Sequence, residues 1–107
     1  MTRSFVLIAL ALLLASCSRR PPEVSLDELA RDPLFYHGRQ ISASGELRYH
    51  PDPAHYWIES PAGNRVEVLG LQDPVLVAGA QLRVTGTFRY SRDKGRRIDV
   101  ETQELRY

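Results

Sequence analysis

Apolar and polar residues alternate along most of the chain from residue 39 to residue 105, and this period of two is typical of β-strands with one buried face. Polar turns rich in glycine, proline and charged residues interrupt the alternation. The pattern predicts five strands, at about residues 39–49, 56–60, 65–69, 80–90 and 97–105. We therefore expect a mainly β domain.

The first and fourth predicted strands resemble each other. Residues 38–49 read GRQISASGELRY, and residues 79–90 read GAQLRVTGTFRY. Each has a glycine in its middle, Gly45 or Gly86, which suits a strand that coils sharply or lies close to another backbone. The pair predicts two long, bent strands of one small closed barrel, although an internal duplication would give the same likeness.

A short helix precedes the strands. Ser25 and Glu28 form a capping box, and Pro33 disfavours helical geometry in the residue before it, so we expect about two helical turns. We expect the helix and its apolar tail, residues 34–36, to plug one end of the barrel, and residues 75–77 to cover an opening. The apolar side of the helix consists of Leu26, Leu29 and Ala30.

The beginning of the chain has the pattern of an export signal. Arg3 precedes an apolar run at residues 5–14, which is too short to span a bilayer but has the length of a signal-peptide core. The residues Leu-Ala-Ser-Cys at positions 14–17 resemble the lipobox of bacterial lipoproteins. This resemblance implies cleavage before Cys17 and acylation of that residue. The alternative is an ordinary secretory signal with an incidental cysteine.

These patterns divide the chain into a signal peptide at residues 1–16, a lipidated cysteine and tether at 17–24, and a barrel domain at 25–107. Acyl chains anchor a protein through buried methylenes. Ser18 stands where an aspartate would resemble an inner-membrane retention signal. We therefore favour the outer membrane, on its periplasmic face, over the inner membrane.

The charge balance disfavours nucleic acid as a partner. The chain has 14 Lys and Arg against 13 Asp and Glu. Removal of Arg3 with the signal peptide leaves 13 of each, and 13 − 13 gives a net charge of zero. No overall field draws such a domain to nucleic acid. Cys17 is the only cysteine, so packing without a disulfide must hold the barrel together.

A short helix followed by five strands, of which the first and fourth are long and glycine-bent, resembles the OB fold, a five-stranded Greek-key barrel. The segments from Tyr36 to Gly45 and from Gly79 to Gly86 are similar to small periplasmic OB-fold proteins and to the starvation-inducible Slp-type outer-membrane lipoproteins. The resemblance implies a fold and an envelope location, not an activity. An SH3-like barrel and a simple meander are the alternative folds.

The outer face of strands two and three, with the loops beside it, is the usual ligand surface of OB folds. Trp57 on that face could stack on a base or a sugar, or it could be a satellite core residue under the first loop. The hairpin after strand four could meet phosphate or an anionic polymer, or it could be a solvated turn. The candidate ligand-binding residues are Trp57, Arg65, Arg92, Lys94 and Arg96.

Residues 50–55 are expected to form a stiff, proline-bent loop, and His50 and His55 at its ends are weak candidates for a metal or haem site, because no cysteine or third histidine is nearby. Glu59 and Glu67 could be close together, but with Arg65 between them in sequence they favour surface ion pairs. The chain has no nucleophile elbow, phosphate loop or zinc-protease motif. We expect no enzymatic activity and no cofactor.

The sequence thus predicts a membrane-anchored envelope lipoprotein that acts as a non-catalytic binding or adaptor module. The expected partners are the membrane itself and envelope proteins, peptidoglycan or an anionic glycolipid, with nucleic acid disfavoured. One alternative is a structural envelope protein that contacts other proteins through strand edges. Another is a metal or haem carrier that uses His50 and His55.

Overall fold

The computed structural model describes residues 20–73 and 78–106, and within them two short helices precede five strands. The helices are α1 (Leu26–Arg31) and α2 (Pro33–Tyr36). The strands are β1 (Gln40–Pro51), β2 (Ala54–Glu59), β3 (Arg65–Leu69), β4 (Gln81–Ser91) and β5 (Gly95–Leu105). The predicted signal peptide, Cys17 and residues 75–77 lie outside the described residues.

The strands form a closed barrel in the order β1-β2-β3-β5-β4, with β4 hydrogen-bonded back to β1. The β3–β5 pair is parallel and the other neighbours are antiparallel. β1 pairs with β4 from Gln40 to Glu46 and with β2 from Glu46 to Pro51. This arrangement confirms the prediction of a small five-stranded OB-like Greek-key barrel.

The barrel interior holds the apolar residues that the alternation placed on the inner face. In β1, Ile41, Ala43 and Leu47 are fully buried. The other strands contribute Ile58, Val66, Val68, Leu82, Val84, Phe88 and Ile98. All buried apolar side chains of the described residues lie between Val24 and Ile98. A chain of residues 18–107 therefore contains all of these buried side chains.

Helix α1 closes one end of the barrel, as predicted. Leu26 and Leu29 are buried in the core cluster. The helix begins with the expected cap, because the Glu28 backbone N–H donates to the Ser25 hydroxyl oxygen at 3.1 Å. Ahead of it, Val24 is buried and Glu23 forms a bridge with Ser42, so the packed domain begins within the segment assigned to the tether.

The apolar tail after α1 does not plug the barrel, and this part of the prediction is wrong. Pro33 begins a second helix instead of only ending the first, since its fixed φ suits a first helical turn. That turn leaves Leu34 75% exposed and Phe35 52% exposed. Only Tyr36 of this segment packs against the core.

The two mid-strand glycines lie where other atoms come too close for a side chain. A Cβ on Gly45 would stand 2.7 Å from Leu26 Cδ1 and 2.9 Å from the Glu59 carbonyl oxygen. A Cβ on Gly86 would overlap the carbonyl oxygen of Asp99, next to an irregularity in the β4–β5 pairing. The prediction of close backbone approach is confirmed at both positions.

The Gly86→Ala variant should be less stable than the native domain by about 1–3 kcal/mol, because the new methyl group has to push β5 away from β4. Thr87→Ala is the matched control, since Thr87 is the next residue of β4 and is half-buried. It should cost less than about 1 kcal/mol. Urea denaturation of residues 18–107 measures both, and equal losses would contradict the steric argument.

A carboxylate joins α1 to the turn between β2 and β3. One oxygen of Asp27 accepts hydrogen bonds from the Ser60 hydroxyl and the Asn64 side-chain amide, each at 2.7 Å. These bonds hold the pKa of Asp27 below its ordinary value of 3.8, and the bond from Asn64 has the larger effect, before that from Ser60. The charged form is therefore favoured by folding.

Because the pKa of Asp27 is lowered in the folded state, its contribution to stability is present above pH 3.8 and is lost as the pH falls through the lowered value. The Asp27→Asn variant should be less stable than the native domain at neutral pH, and the difference should shrink in acid. Unfolding free energies measured from about pH 7 to about pH 2 test this. Asn64→Ala should flatten the same pH dependence, and a difference that is constant with pH would refute the assignment.

Candidate functional site

The outer face of β2 and β3 presents one large aromatic side chain among charged ones. Trp57 is opposite Glu67 in the register, and Glu59 is opposite Arg65. Trp57 points away from the core, as the alternation predicts, but it is half-buried. Its indole N–H donates to Glu59 at 3.4 Å, which holds the ring against the sheet. This hydrogen bond thus fixes the orientation of the indole ring.

Four flat groups stack in a row across this surface. The rings of His50 and His55 have centroids 5.2 Å apart at an interplanar angle of 26°. The His55 and Trp57 rings follow at 5.3 Å and 29°, and the Arg65 guanidinium carbon lies 5.0 Å from the Trp57 ring centroid. Stacked rings and a guanidinium over an indole are both favourable contacts.

The β4–β5 hairpin comes close to this row and forms a groove of about 280 Å³ with it. The groove is lined by His55, Trp57, Arg65, Glu67, Lys94, Gly95 and Arg96. The structure therefore brings together four of the five predicted ligand-binding residues. The fifth, Arg92, is exposed in the hairpin turn and does not line the groove.

The charged groups of the groove are mainly cationic. Arg65, Lys94 and Arg96 line it together with a single carboxylate, that of Glu67. Arg65 also lies 3.7 Å from Glu59, which in turn lies 3.8 Å from Arg48, so Glu59 is shared by two arginines. The lining of the groove is therefore net cationic and attracts an anion.

Arg96 has a buried side-chain nitrogen without an internal partner. The Nη1 atom of Arg96 is buried and makes no hydrogen bond within the described part of the chain. Buried polar groups normally have a partner, and the stronger hydrogen bonds of a guanidinium are those to an ionised acceptor. The neighbouring Asp93 does not line the groove, and a hydrogen bond from Ser91 lowers the pKa of its carboxyl below 3.8. An anion in the groove would give Arg96 the missing acceptor.

The prediction that both histidines lie in a loop is wrong. His50 is in β1 and His55 is in β2, and the two residues are opposite each other in the register. The turn is only Asp52–Pro53. The Asp52 N–H donates to His50 Nδ1 at 3.3 Å, and His55 Nδ1 donates to the Pro53 carbonyl at 2.8 Å. Across residues 20–73 and 78–106, no group of three or more His, Cys, Asp and Glu could hold a metal ion.

The stacked row was not predicted from the sequence. Placing the turn at Asp52–Pro53 would have revealed it, because a two-residue turn sets His50 opposite His55 and leaves His55 and Trp57 on one face. Arg83 and Arg89 of the barrel wall differ from Arg96, since they have acidic partners, whereas Arg97 Nε is, like Arg96 Nη1, buried without a hydrogen bond in the described residues. The Arg83 guanidinium lies 3.0 Å from Glu23, and the Arg89 guanidinium lies 2.5 Å from Asp99.

Comparison with known proteins adds no family assignment, because no family model matches the chain and no curated protein matches it. In the segments that the structure describes, no helix has both the length and the apolar character needed to cross a membrane.

Proposed function

We propose that this chain is a lipid-anchored protein of the bacterial envelope and that its barrel is a non-catalytic binding module for an anionic sugar. The observation that carries the proposal is the groove itself. It joins the single tryptophan of the chain to cations from a second element, and one of those cations has a buried, unpartnered nitrogen.

The groove offers two kinds of contact to one ligand. The part of Trp57 that lines the groove suits an apolar contact with a sugar ring, and Arg96 with Lys94 suits a phosphate or carboxylate on that ring. Peptidoglycan fragments and phosphorylated glycolipids both carry an acidic group on a sugar. Nucleic acid offers the same two features, but the zero net charge of residues 18–107 disfavours it.

The lipid anchor is proposed from residues 1–17, which lie outside the described part of the structure. The apolar run and the Leu-Ala-Ser-Cys motif support acylation of Cys17, and Ser18 supports the outer membrane, on its periplasmic face. An anchored module of this kind would hold its ligand, or a partner protein that carries it, close to the membrane.

The two alternative functions stay predictions. Contact with partners through strand edges is not favoured by a barrel in which every described strand has two hydrogen-bonded neighbours. A metal or haem carrier would rest on His50 and His55, whose Nδ1 atoms are engaged with the backbone of their own hairpin. The groove therefore supports sugar binding better than either alternative.

Binding is tested by the emission of Trp57 in residues 18–107 during titration with peptidoglycan fragments, lipopolysaccharide, an oligonucleotide and a divalent metal. We expect a saturable change with one of the two anionic sugars. Arg96→Gln should weaken that binding by about tenfold or more, because a charge-assisted hydrogen bond is lost.

Arg106→Gln is the matched control, since Arg106 pairs with Glu23 and does not line the groove. It should leave the affinity unchanged. Emission that responds to none of the four ligands would refute the binding module, and equal effects of the two substitutions would remove Arg96 from the site.

The anchor is tested by the mass of the protein recovered from a bacterium with two membranes. We expect the mass of residues 17–107 plus acyl groups, and we expect Cys17→Ser to release the protein from the membrane fraction. A mature mass equal to the bare polypeptide, or a Cys17→Ser protein that stays bound to membranes, would argue against lipidation.

A further inference from the structure

Leu34 and Phe35 form an exposed apolar pair on the short helix α2. Leu34 is 75% exposed, whereas the exposed leucines of the strands, Leu69 and Leu105, are 39% and 40% exposed. The pair is held in place, because Tyr36 packs against the core and the following residues are tied to β4. The Gly38 N–H donates to the Phe88 carbonyl at 2.8 Å.

The start of the described chain leads toward the end of the barrel that carries α2. Glu23 forms a parallel β-bridge with Ser42. The Val24 N–H donates to the Ser42 carbonyl at 2.8 Å, and the Ser42 N–H donates to the Pro22 carbonyl at 2.9 Å. In a parallel pair, the residues before Glu23 run back toward the beginning of β1. The beginning of β1 is where α2 connects to the barrel.

The anchor residue is close to this point along the chain. Cys17 precedes Arg20 by three residues, which span at most about 11 Å when fully extended. An acylated Cys17 would therefore keep the end of the barrel that carries α2 within reach of the membrane surface.

The charges around the apolar pair fit an anionic membrane surface. The Arg39 guanidinium lies 4.1 Å from the Phe35 ring centroid, and its Nε donates to the Phe35 carbonyl at 2.7 Å. Arg20 adds a second exposed cation in the segment that leads to Cys17. Arg31 is paired with Glu28, and Asp32 is the one carboxylate directly beside α2 in sequence. Apolar side chains flanked by arginines are typical of interfacial membrane contacts.

We propose that Leu34 and Phe35 insert into the membrane that holds Cys17, while Arg39 contacts anionic headgroups. This inference rests on the proposed acylation of Cys17. The contact would give the anchored domain a defined orientation, with α2 against the bilayer. The β1–β2 hairpin would then lie on the side away from it, because it is at the opposite end of β1, whose contour length from Gln40 to Pro51 is about 36 Å.

The orientation is tested on residues 17–107 with a single acyl chain attached chemically to the Cys17 thiol, on vesicles of phosphatidylethanolamine and phosphatidylglycerol. A Trp57→Phe background removes the native fluorophore. In that background, Leu34→Trp should show blue-shifted emission and quenching by brominated acyl chains. Ala54→Trp, an exposed site at the far hairpin, should show neither. Equal quenching at the two positions would overturn the proposal.

The strength of the contact is tested with the same acylated protein, now with its native tryptophan. One acyl chain alone gives only marginal membrane binding, so the contribution of Leu34 to binding can be measured. Leu34→Ser should reduce vesicle binding by roughly tenfold. Leu105→Ser is the matched control, since it removes an exposed leucine that pairs with Leu82 at the other end of β4. It should leave binding unchanged.

Equal binding by the two serine variants would overturn the proposal. So would a Leu34→Ser protein whose self-association by sedimentation changes without vesicles, because the pair would then be a contact between copies of the chain. Since the acyl chain is attached chemically, these outcomes do not depend on acylation in cells. The mass of the cellular protein tests that separately.

Discussion

The barrel depends on the close approach of backbones at its two mid-strand glycines. At Gly86 the carbonyl of Asp99 occupies the place of a side chain, and at Gly45 the α1 leucine Leu26 and the backbone of β2 do so. β1 pairs with β4 along its first half and with β2 along its second half, and Gly45 lies where the two pairings meet. A straight β1 could not exchange neighbours in this way, and the sheet would not close.

Closure of the sheet also creates the groove. The order β1-β2-β3-β5-β4 places β5 beside β3, with Glu67 opposite Arg97. The hairpin that enters β5 is therefore carried to the outer face of β2 and β3. Trp57 and Arg96 come from distant parts of the sequence and line one surface only because of this parallel pairing. The groove is thus a product of the barrel topology.

The same topology separates two regions with different chemistry. One end of the barrel bears α2 with its exposed leucine and phenylalanine, and the chain enters the domain from that direction. The β1–β2 hairpin, with its stacked histidines, lies at the opposite end of β1. Membrane contact and ligand contact would then occupy different surfaces of a small domain, so that each could take place without blocking the other.

Much of this architecture was determined locally by the sequence. Alternation assigned Ile41, Leu82 and Phe88 to the interior, the capping box located the start of α1, and the glycines marked the bends. Local signals of this kind suffice because each strand face and each helix cap depends on residues within a few positions.

The tertiary structure alone decided which side chains meet. Exposure of Leu34 depends on how α2 docks on β4, since an apolar residue in a short helix can face either way. The stacking of His50, His55 and Trp57 depends on the register of β1 and β2. The predicted loop at residues 50–55 gave no register for the two histidines. Arg96 at the start of β5 lines the groove and Arg92 in the preceding turn does not, because the position of the hairpin beside β3 decides which of its arginines reaches the groove. Contacts between distant segments are set by register and packing, and the sequence pattern of one segment carries no information about either.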